Sequence, residues 1–266
     1  TKHPYRMPTI GLMDHLGQMK IDHVREFYDA YYAPDQTVLV VVGDLDLAAT
    51  LGVVGRFYGA MEPSGATRPI PEPEPAQTEA RRVVIERPVQ TPFVSFAYHI
   101  PSQLDPRFVS LAALHEVLCS GDNARLYRRL VTEERVASEV EGYLTPFAEP
   151  GLFELVVNLR PGIDCESVIE IVQGELDSVA RDLREEEVEK AKNGLELDYY
   201  DAMGSVDGLA EELGHHEIAH GDYRLAFERD TEIKAVSAQS MTEACAETFT
   251  VENRTVGIVQ PTGEDS

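Results

Sequence analysis

The feature that most constrains the fold of this chain is an internal repeat of which one copy is incomplete. A helical pattern over residues 21–32 leads into the β-branched run Thr37–Val42, and a helical pattern over 237–249 leads into a similar run over 254–259. Equivalent residues lie a constant 218 positions apart, as in the pairs Tyr31 and Phe249, Asp35 and Asn253, Thr37 and Thr255, and Val38 and Val256. A single repeat of this length indicates two copies of one domain and not a solenoid of short units.

The first copy has too few residues ahead of its helix to be a whole domain. We therefore expect residues 1–61 to be the C-terminal remainder of a first domain whose front part lies upstream of Thr1. The run Thr37–Val42 predicts a buried strand that takes its neighbours from that front part. Since an unpaired apolar strand promotes association, this segment is expected to pack on another chain or domain, or under its own helices.

A proline- and glutamate-rich segment over residues 62–81 separates the two copies. Prolines remove backbone donors, so this composition predicts an extended, solvated linker between parts that move relative to each other. Residues 82–261 then follow the pattern β-β-α-α-β-β-α-α-α-α-β, and residues 262–266 are a tail. The sequence predicts an α+β fold with helices layered on a mixed sheet, in tandem homologous domains of which the first is truncated.

Charge and hydropathy exclude two classes of partner. The chain has 47 acidic and 23 basic residues and a net charge of −24, whereas nucleic-acid binding needs a basic patch. Because no apolar run approaches the ~20 residues of a membrane span, we expect neither nucleic acid nor membrane as a partner. The three cysteines are far apart and form no C-x-x-C pair, which excludes a disulfide framework and a zinc knuckle.

One metal-site motif is present, since His216-Glu217-Ile218-Ala219-His220 fits H-E-x-x-H. On a helix its histidines share one face, and the glutamate would activate water. However, Gly221-Asp222 follows at once, which is typical of a helix end, whereas the active-site helix of such enzymes continues past the second histidine. We therefore expect an exposed helix terminus, with a zinc enzyme that uses the His216-Glu217-His220 cluster as an alternative.

Seven short segments carry a resemblance to a known family by their order and spacing. They are His3-Pro4-Tyr5, Ile10-Gly11, Phe27-Tyr28 with Tyr31-Tyr32-Ala33-Pro34, Val41-Val42-Gly43-Asp44, Pro88-Val89-Gln90-Thr91-Pro92, Ser120-Gly121-Asp122-Asn123-Ala124-Arg125-Leu126-Tyr127 and Glu149-Pro150-Gly151-Leu152-Phe153. Together they resemble the pitrilysin-type (inverzincin) zinc peptidases, the family of the mitochondrial processing peptidase, over nearly the whole chain. The resemblance implies homologous α+β domains.

In that family the active domain carries H-x-x-E-H, whose two histidines bind Zn²⁺ together with a downstream glutamate, while the motif glutamate is the general base. By resemblance these residues lie upstream of Thr1, and this sequence contains no H-x-x-E-H. In the second domain the motif falls on Ala112-Ala113-Leu114-His115-Glu116. Ala112, His115 and Glu116 replace the first histidine, the glutamate and the second histidine, so the resemblance implies a degenerate, metal-free copy.

The family also pairs a zinc-bearing half with a substrate-holding half, which carries an arginine and a tyrosine seven residues apart. Val131 and Ser138 stand at those positions here. The resemblance therefore identifies the second domain of the zinc-bearing half.

These observations imply an inactive C-terminal portion of a zinc-dependent metallopeptidase that hydrolyses peptides in a closed chamber. We predict no catalytic, cofactor-binding or metal-binding residue in this chain, and zinc only in the parent protein. The expected partners are the parent protein's peptide substrate and a homologous peptidase half or subunit, in a homo- or heterodimer. The alternative is a non-catalytic scaffold or assembly subunit of the same fold, and an upstream H-x-x-E-H distinguishes the two. The sequence predicts no compartment.

Overall fold

The structure is a computed structural model that describes residues 1–262, so the predicted tail lies outside the described residues except for Thr262. Its helices are α1 (Met13–Gln18), α2 (Ile21–Tyr31), α3 (Leu47–Tyr58), α4 (Phe108–Cys119), α5 (Arg125–Tyr127), α6 (Cys165–Asp182), α7 (Glu185–Met203), α8 (Val206–His220), α9 (Arg229–Ala235) and α10 (Ala238–Thr248). Its strands are β1 (Arg81–Arg87), β2 (Phe93–Ile100), β3 (Ala137–Leu144), β4 (Gly151–Leu159) and β5 (Arg254–Pro261).

Contacts divide the chain into two compact units. Unit 1 comprises residues 1–76 and 204–223, and unit 2 comprises residues 77–203 and the residues from 224 onward. The sequence-based boundaries differ from these units at 204–223, because the pattern of α8 predicts a helix without indicating which core it packs on. Within unit 1 a side chain at Gly214 of α8 would lie 3.5 Å from Val40 Cγ2.

Unit 2 is built on a five-stranded mixed sheet in the order β1-β5-β2-β4-β3. The pair β1–β5 is parallel, and the other pairs are antiparallel. Alternate residues of β2 and β4 are buried, and this face packs with α4, α6 and α10. The prediction of an α+β fold with helices on one mixed sheet is confirmed.

Local sequence explains where several helices begin. Asp164 accepts a hydrogen bond from the Ser167 N–H at the start of α6, and the Ser237 and Ser240 side chains each accept the other's N–H at the start of α10. Such caps satisfy backbone donors that the helix leaves unpaired. By contrast α4 is apolar on nearly every side and is buried from Phe108 to Leu114, as expected of a core helix.

Two local predictions from the sequence need correction. The pattern over residues 124–133 predicts one helix, but the structure has the short α5 followed by a π-helical segment, Arg128–Glu133, and Arg135 then adopts a left-handed φ of 56°. Asp22 is predicted as the N-cap of α2, but Lys20 holds that position. Helices α1 and α9 were not predicted, since six and seven residues are too few to show a clear helical period.

Unit 1 contains no β-ladder among its described residues. The run Thr37–Val42 is extended but unpaired, and Val38, Leu39 and Val41 are all exposed. Thr37–Val42 therefore forms no strand with any segment of residues 1–262. β-Branched residues favour an extended backbone, but a strand also needs a neighbour to accept and donate its hydrogen bonds.

Residues 61–80 form no helix or strand, and Ile70 within them is 94% exposed. Two carboxylates nevertheless hold this segment onto unit 1. Asp35 accepts the N–H groups of Ser64 and Gly65 at 3.0 and 2.8 Å, and the Ser64 N–H in particular lowers the Asp35 pKa. The Glu74 carboxylate likewise accepts the N–H groups of residues 2 and 3. The linker is therefore attached to the rest of unit 1 at residues 64–65 and at Glu74, and it is exposed to solvent around Ile70.

Brief digestion of the native chain with proteinase K should cut first within residues 61–81, near Ile70. The reason is that exposed backbone without a ladder enters a protease site at little cost. Mass spectrometry of the first products locates the cut. First cuts inside residues 82–260, with 61–81 intact, would contradict this expectation.

A buried arginine joins three helices of unit 2. Arg125 is 8% exposed, and its Nε and Nη2 donate to the two carboxylate oxygens of Glu187 at 2.8 and 2.6 Å. Its Nη1 donates to Asp182 at 2.6 Å and to Ser178 at 3.2 Å. Burial alone would raise the Glu187 pKa, but hydrogen bonds from Arg125 and Arg184 lower it to about 2. Through these hydrogen bonds the Arg125 guanidinium joins α5 to the end of α6 and to the first turn of α7.

Arg125→Lys should lower the free energy of unfolding by about 2–4 kcal/mol. An ammonium cannot donate the two parallel hydrogen bonds that the guanidinium donates to Glu187, so it leaves this half-buried carboxylate poorly paired. Urea denaturation at pH 7 measures the loss. Because the folded pKa of Glu187 is depressed, its contribution to stability is present above pH ~4.5 and is lost as the pH falls towards 2.

The matched control is Arg128→Lys. The ion pair of Arg128 with Glu133 is exposed, so this change should alter the free energy of unfolding by less than about 0.5 kcal/mol. Equal losses of stability in the two variants would refute the proposed role of Arg125.

Candidate functional site

The residues on which the family's motif falls by resemblance lie on α4, where this helix packs against α7 and β3. Ala112 is buried and offers no atom that binds a metal. His115 and Glu116 follow one turn later and are half-buried. The structure therefore brings two of the three predicted replacement residues together at one junction.

His115 faces the backbone of β3. Its Nε2 lies 2.9 Å from the Gly142 carbonyl oxygen, which can only accept, so Nε2 carries the hydrogen. Its Nδ1 lies 3.6 Å from Glu116 Oε1. Burial opposes protonation, but the Glu116 carboxylate and the Gly142 carbonyl outweigh it and raise the His115 pKa. A side chain at Gly142 would lie 2.5 Å from Cys119 Sγ, so this close approach requires glycine.

Glu116 faces α7. A Cβ at Gly194 would lie 2.8 Å from Glu116 Oε2, so the absence of a side chain at Gly194 makes room for the carboxylate. The contact with His115 is the main cause that lowers the Glu116 pKa, and Ser120 and Lys190 add to it. A cavity of about 30 Å³ adjoins the carboxylate and is lined by Glu116, Val117, Asn123, Glu187, Lys190 and Ala191. This polar cavity has room for about one water molecule.

These residues do not fit a zinc ion. Zinc needs at least three nitrogen, sulfur or carboxylate ligands that converge on one point. Ala112 supplies none, the Nε2 of His115 is used by a carbonyl, and the Lys190 cation lies beside the remaining carboxylate. The α4–α7 junction is instead held by the His115–Glu116 contact and by close packing at Gly194.

The positions that would hold substrate have structural roles here. Val131 is partly buried against the core of unit 2. The Ser138 hydroxyl donates to the Asn158 carbonyl at 3.2 Å, beside the irregularity in the β3–β4 register. Neither side chain offers the cation or the phenol of the family's substrate-holding pair.

The H-E-x-x-H motif lies at the end of α8. Gly221 adopts a left-handed φ of 74° and donates its N–H to Glu217 O, so the predicted helix end is confirmed. His216 is only 7% exposed, so the predicted exposed terminus is wrong for this residue. The error arises because α8 packs within unit 1, which its own sequence does not indicate.

The side chains of this motif are used within the protein. His216 Nδ1 lies 2.9 Å from the Glu212 carbonyl, and the Glu217 carboxylate accepts the Tyr223 N–H at 3.0 Å. The rings of His216 and His220 are 5.6 Å apart. Within residues 1–262 no group of three or more His, Cys, Asp or Glu residues has an arrangement that would hold a metal ion.

Sequence reasoning missed Gly194 and Lys190 as parts of the α4–α7 junction. Gly194 gave a usable signal, because a glycine inside a strong helix pattern often marks close packing. Lys190 gave none, since a lysine on a helix rich in glutamate is typical of a solvated face.

The three cysteines are free thiols. Burial raises the pKa of Cys119 strongly and that of Cys245 to about 11, which disfavours the reactive thiolate. None of the helices described for residues 1–262 combines the length and the apolar character that a membrane span requires.

Comparison with known proteins agrees with this geometry. The family model described as "Peptidase M16 inactive domain" matches residues 18–195, and the chain belongs to this pitrilysin-like family. It is 24% identical to the zinc protease PqqE of Helicobacter pylori over 213 residues, which are 78% of this chain and 48% of that protein. The chain therefore spans about half the length of this relative.

Two further similarities concern fold and assembly. The crystal structure of a protease from Helicobacter pylori superposes with a TM-score of 0.92 at 21% identity, over 98% of this chain and 64% of that one. The mitochondrial ubiquinol–cytochrome-c reductase complex core protein I of Euglena gracilis is 20% identical over 225 residues, which are 74% of this chain and 45% of that protein. Members of the family thus occur in multi-subunit assemblies.

The His115–Glu116 contact makes stability depend on pH. Because the folded pKa of His115 is raised from 6.5, its contribution is fully present below pH ~6.5 and is lost as the pH rises through the folded value. Wild-type protein should exceed His115→Gln by about 0.5–1 kcal/mol at pH 6, and the difference should shrink towards pH 9. Urea denaturation across this range measures it.

His15→Gln on the short α1 is the matched control, since His15 is exposed. A difference between wild type and His115→Gln that stays constant from pH 6 to pH 9 would show that the imidazole acts only by its shape.

Proposed function

We propose that this chain is the C-terminal, non-catalytic portion of a longer zinc-dependent metallopeptidase that hydrolyses peptides in a closed chamber. The observation that carries the proposal is the α4–α7 junction, where a motif position of the family holds Ala112, His115 and Glu116. The His115–Glu116 contact replaces a metal there. A domain built in this way keeps the fold of a peptidase domain without its chemistry.

The zinc site of this proposal belongs to the part of the polypeptide that precedes this chain. The relative PqqE is named a zinc protease, and this chain matches only 48% of its length. When bound there, zinc would lower the pKa of a water molecule and polarise the peptide carbonyl. The present chain contributes no group to that step.

The role of unit 2 is to form part of the chamber wall. Its sheet has helices on one face, while the other face of β2 and β4 carries half-buried residues. Phe93, Ala97 and Val156 lie on this second face, together with the polar residues Ser95, Glu154 and Asn158. A half-buried sheet face of mixed apolar and polar residues suits a wall that a peptide substrate lies against.

A second candidate function is a non-catalytic assembly subunit of the same fold. It is favoured by the likeness to a core protein of a respiratory complex. The two functions differ in one respect, since only the peptidase requires H-x-x-E-H in the same polypeptide.

The test uses the full-length polypeptide that contains this chain. We expect H-x-x-E-H upstream of residue 1, about one zinc ion per polypeptide by elemental analysis after dialysis, and cleavage of fluorogenic peptides. Replacing the motif glutamate by glutamine should lower the cleavage rate at least about 100-fold, because general-base catalysis contributes this much. The 266-residue chain alone should retain no stoichiometric zinc and cleave no peptide.

Each other outcome favours a named alternative. A full-length sequence without H-x-x-E-H would replace the peptidase by the assembly subunit. Near-equimolar zinc in the 266-residue chain, lost in His216→Ala, would instead support a site at His216-Glu217-His220.

A further inference from the structure

Strand β1 forms one edge of the sheet of unit 2, and the side of this strand that faces away from β5 is open. Strand β5 pairs with β1 on one side, and within residues 1–262 no strand pairs with the other side, the outer edge of β1. All seven residues of Arg81–Arg87 are exposed, and Val83, Val84 and Ile85 are 50%, 50% and 37% exposed. An exposed edge strand presents unpaired N–H and C=O groups to which a further strand can add.

The opposite edge of the sheet, β3, carries a protection that β1 lacks. The β3–β4 register shifts between Ala137 and Glu139, and an irregularity of this kind twists an edge strand away from further pairing. The β1–β5 register runs from Arg81 to Arg87 without a shift, and this strand contains no proline. The outer edge of β1 is therefore regular enough to pair along its whole length, which is about 23 Å at the usual rise per residue.

The charges and the apolar residues of β1 are complementary to the same strand read in the opposite direction. Its sequence is Arg-Arg-Val-Val-Ile-Glu-Arg. An antiparallel pair with a two-fold axis at Val84 places Val84 opposite Val84, and Val83 opposite Ile85. The same register places Arg82 opposite Glu86 on each side of the axis. Opposite charges directly across an antiparallel pair stabilise it, whereas like charges destabilise it.

The neighbouring registers lose this complementarity. Residues that lie opposite each other in an antiparallel pair share one face of the sheet, so the axis of a symmetric pair has to pass through a residue. An axis at Val83 would place Arg82 opposite Val84, and an axis at Ile85 would place Glu86 opposite Val84. Each of these registers sets a charge against an apolar side chain, whereas the register at Val84 sets apolar residues against apolar residues.

We infer that two copies of this chain associate through the outer edges of β1, with these strands antiparallel about a two-fold axis at Val84. The contact joins the two five-stranded sheets into one continuous sheet, and the same surface is used on both copies, as in other two-fold dimers. The inference does not depend on the proposed function, because it uses only the sequence and the pairing of β1. It assigns a surface to the homologous subunit that the sequence predicts as a partner.

Both faces of the joined strands are supported by apolar residues. On the face that the helices cover, Val84 is paired with Ile258 of β5, which is 2% exposed, so the axis lies beside the core of each copy. On the other face, Val83 and Ile85 lie opposite Ile85 of the partner subunit and Val83 of the partner subunit. These four side chains are removed from water together, which favours association.

The contact is small and carries some repulsion, so we expect a weak and reversible dimer. A single pair of strands lies at the low end of interface sizes. Arg81 lies opposite Arg87 at the two ends of the paired strands, where solvent and salt screen the repulsion between them. Arg82 is already in an exposed ion pair with Glu166 of α6, so its interaction with a second carboxylate adds only modestly to affinity.

An extended peptide is the other occupant that an open strand edge fits. A peptide would gain affinity from main-chain hydrogen bonds, which any extended backbone provides. The positions of Arg82 and Glu86 on either side of Val84 favour a strand with the same charges in reverse order, and β1 is itself such a strand. The self-complementarity of β1 therefore favours a second copy of the chain.

The test is sedimentation equilibrium of the full-length polypeptide that contains this chain, over about 1–300 µM protein, a range that covers weak association. Wild-type protein should dimerise reversibly. Glu86→Arg should weaken dimerisation at least about 10-fold, because it sets two arginines opposite each other on both sides of the axis. Arg82→Glu should weaken dimerisation to a similar degree, because it sets two glutamates opposite each other.

A mixture of the two variants tests the register. When Arg82→Glu is mixed with Glu86→Arg, a strand with two acidic residues faces a strand with two basic residues, and both cross-strand pairs again join opposite charges. The equimolar mixture should therefore dimerise about as tightly as the wild type, whereas each variant alone should not. Mixing could not restore a loss that is caused by misfolding.

The matched control is Glu139→Arg, which is the same charge reversal on the opposite edge strand. Glu139 is exposed, and this change should alter the dimerisation constant by less than about 2-fold. Thermal unfolding of each variant checks that it is folded.

Three results would overturn the inference. The first is a wild-type protein that stays monomeric over the whole concentration range; if the amides of 81–87 then become protected from hydrogen exchange only when a peptide is added, the edge binds peptide. The second is equal dimerisation of wild type and Glu86→Arg, which would place the interface elsewhere. The third is a mixture that dimerises no better than its components, which would exclude the antiparallel register. None of these results depends on zinc content or peptide cleavage, so the proposed function is tested separately.

Discussion

The double pairing of β5 is the constraint on which unit 2 depends. This strand comes last along the chain, yet it lies between the first two strands of the unit. Val84 and Val94 meet at Ile258 from opposite sides, and the helices before β5 pack below them. Because closing so long a loop has an entropic cost before any contact stabilises it, the ladder and the apolar face have to form together. Unit 2 is therefore cooperative around its last strand.

The same constraint explains the difference between the two copies of the repeat. Thr37–Val42 has the composition of β5 but lacks its two neighbours among residues 1–262, so it is extended and exposed. The helix that precedes each strand forms in both copies, as α2 and as α10. Helices satisfy their hydrogen bonds within one segment, whereas strands need another segment. An incomplete repeat thus retains its helix and loses its ladder.

The same distinction determines what the sequence was able to predict. The sequence predicts helices over 185–203 and 206–220 and a strand over 151–159, and α7, α8 and β4 have these bounds, because caps and alternation are local signals. The burial of His216 was not predicted, since it depends on packing by segments far along the chain. At the candidate site, the resemblance to the family placed the motif position at His115 and Glu116. Their contacts with Gly142 and Gly194 were not predicted, because two other elements supply them.

The α4–α7 junction is held by side-chain contacts at the position where the family resemblance places a metal-site motif. A metal ion fixes helices by binding side chains from each of them, whereas polar groups at a half-buried junction need partners within the protein. Here the Glu116 carboxylate is paired with His115 and packs on a backbone that has no side chain at Gly194. An unpaired carboxylate in that place would cost free energy. The pair therefore preserves the packing of α4, which in turn supports the sheet.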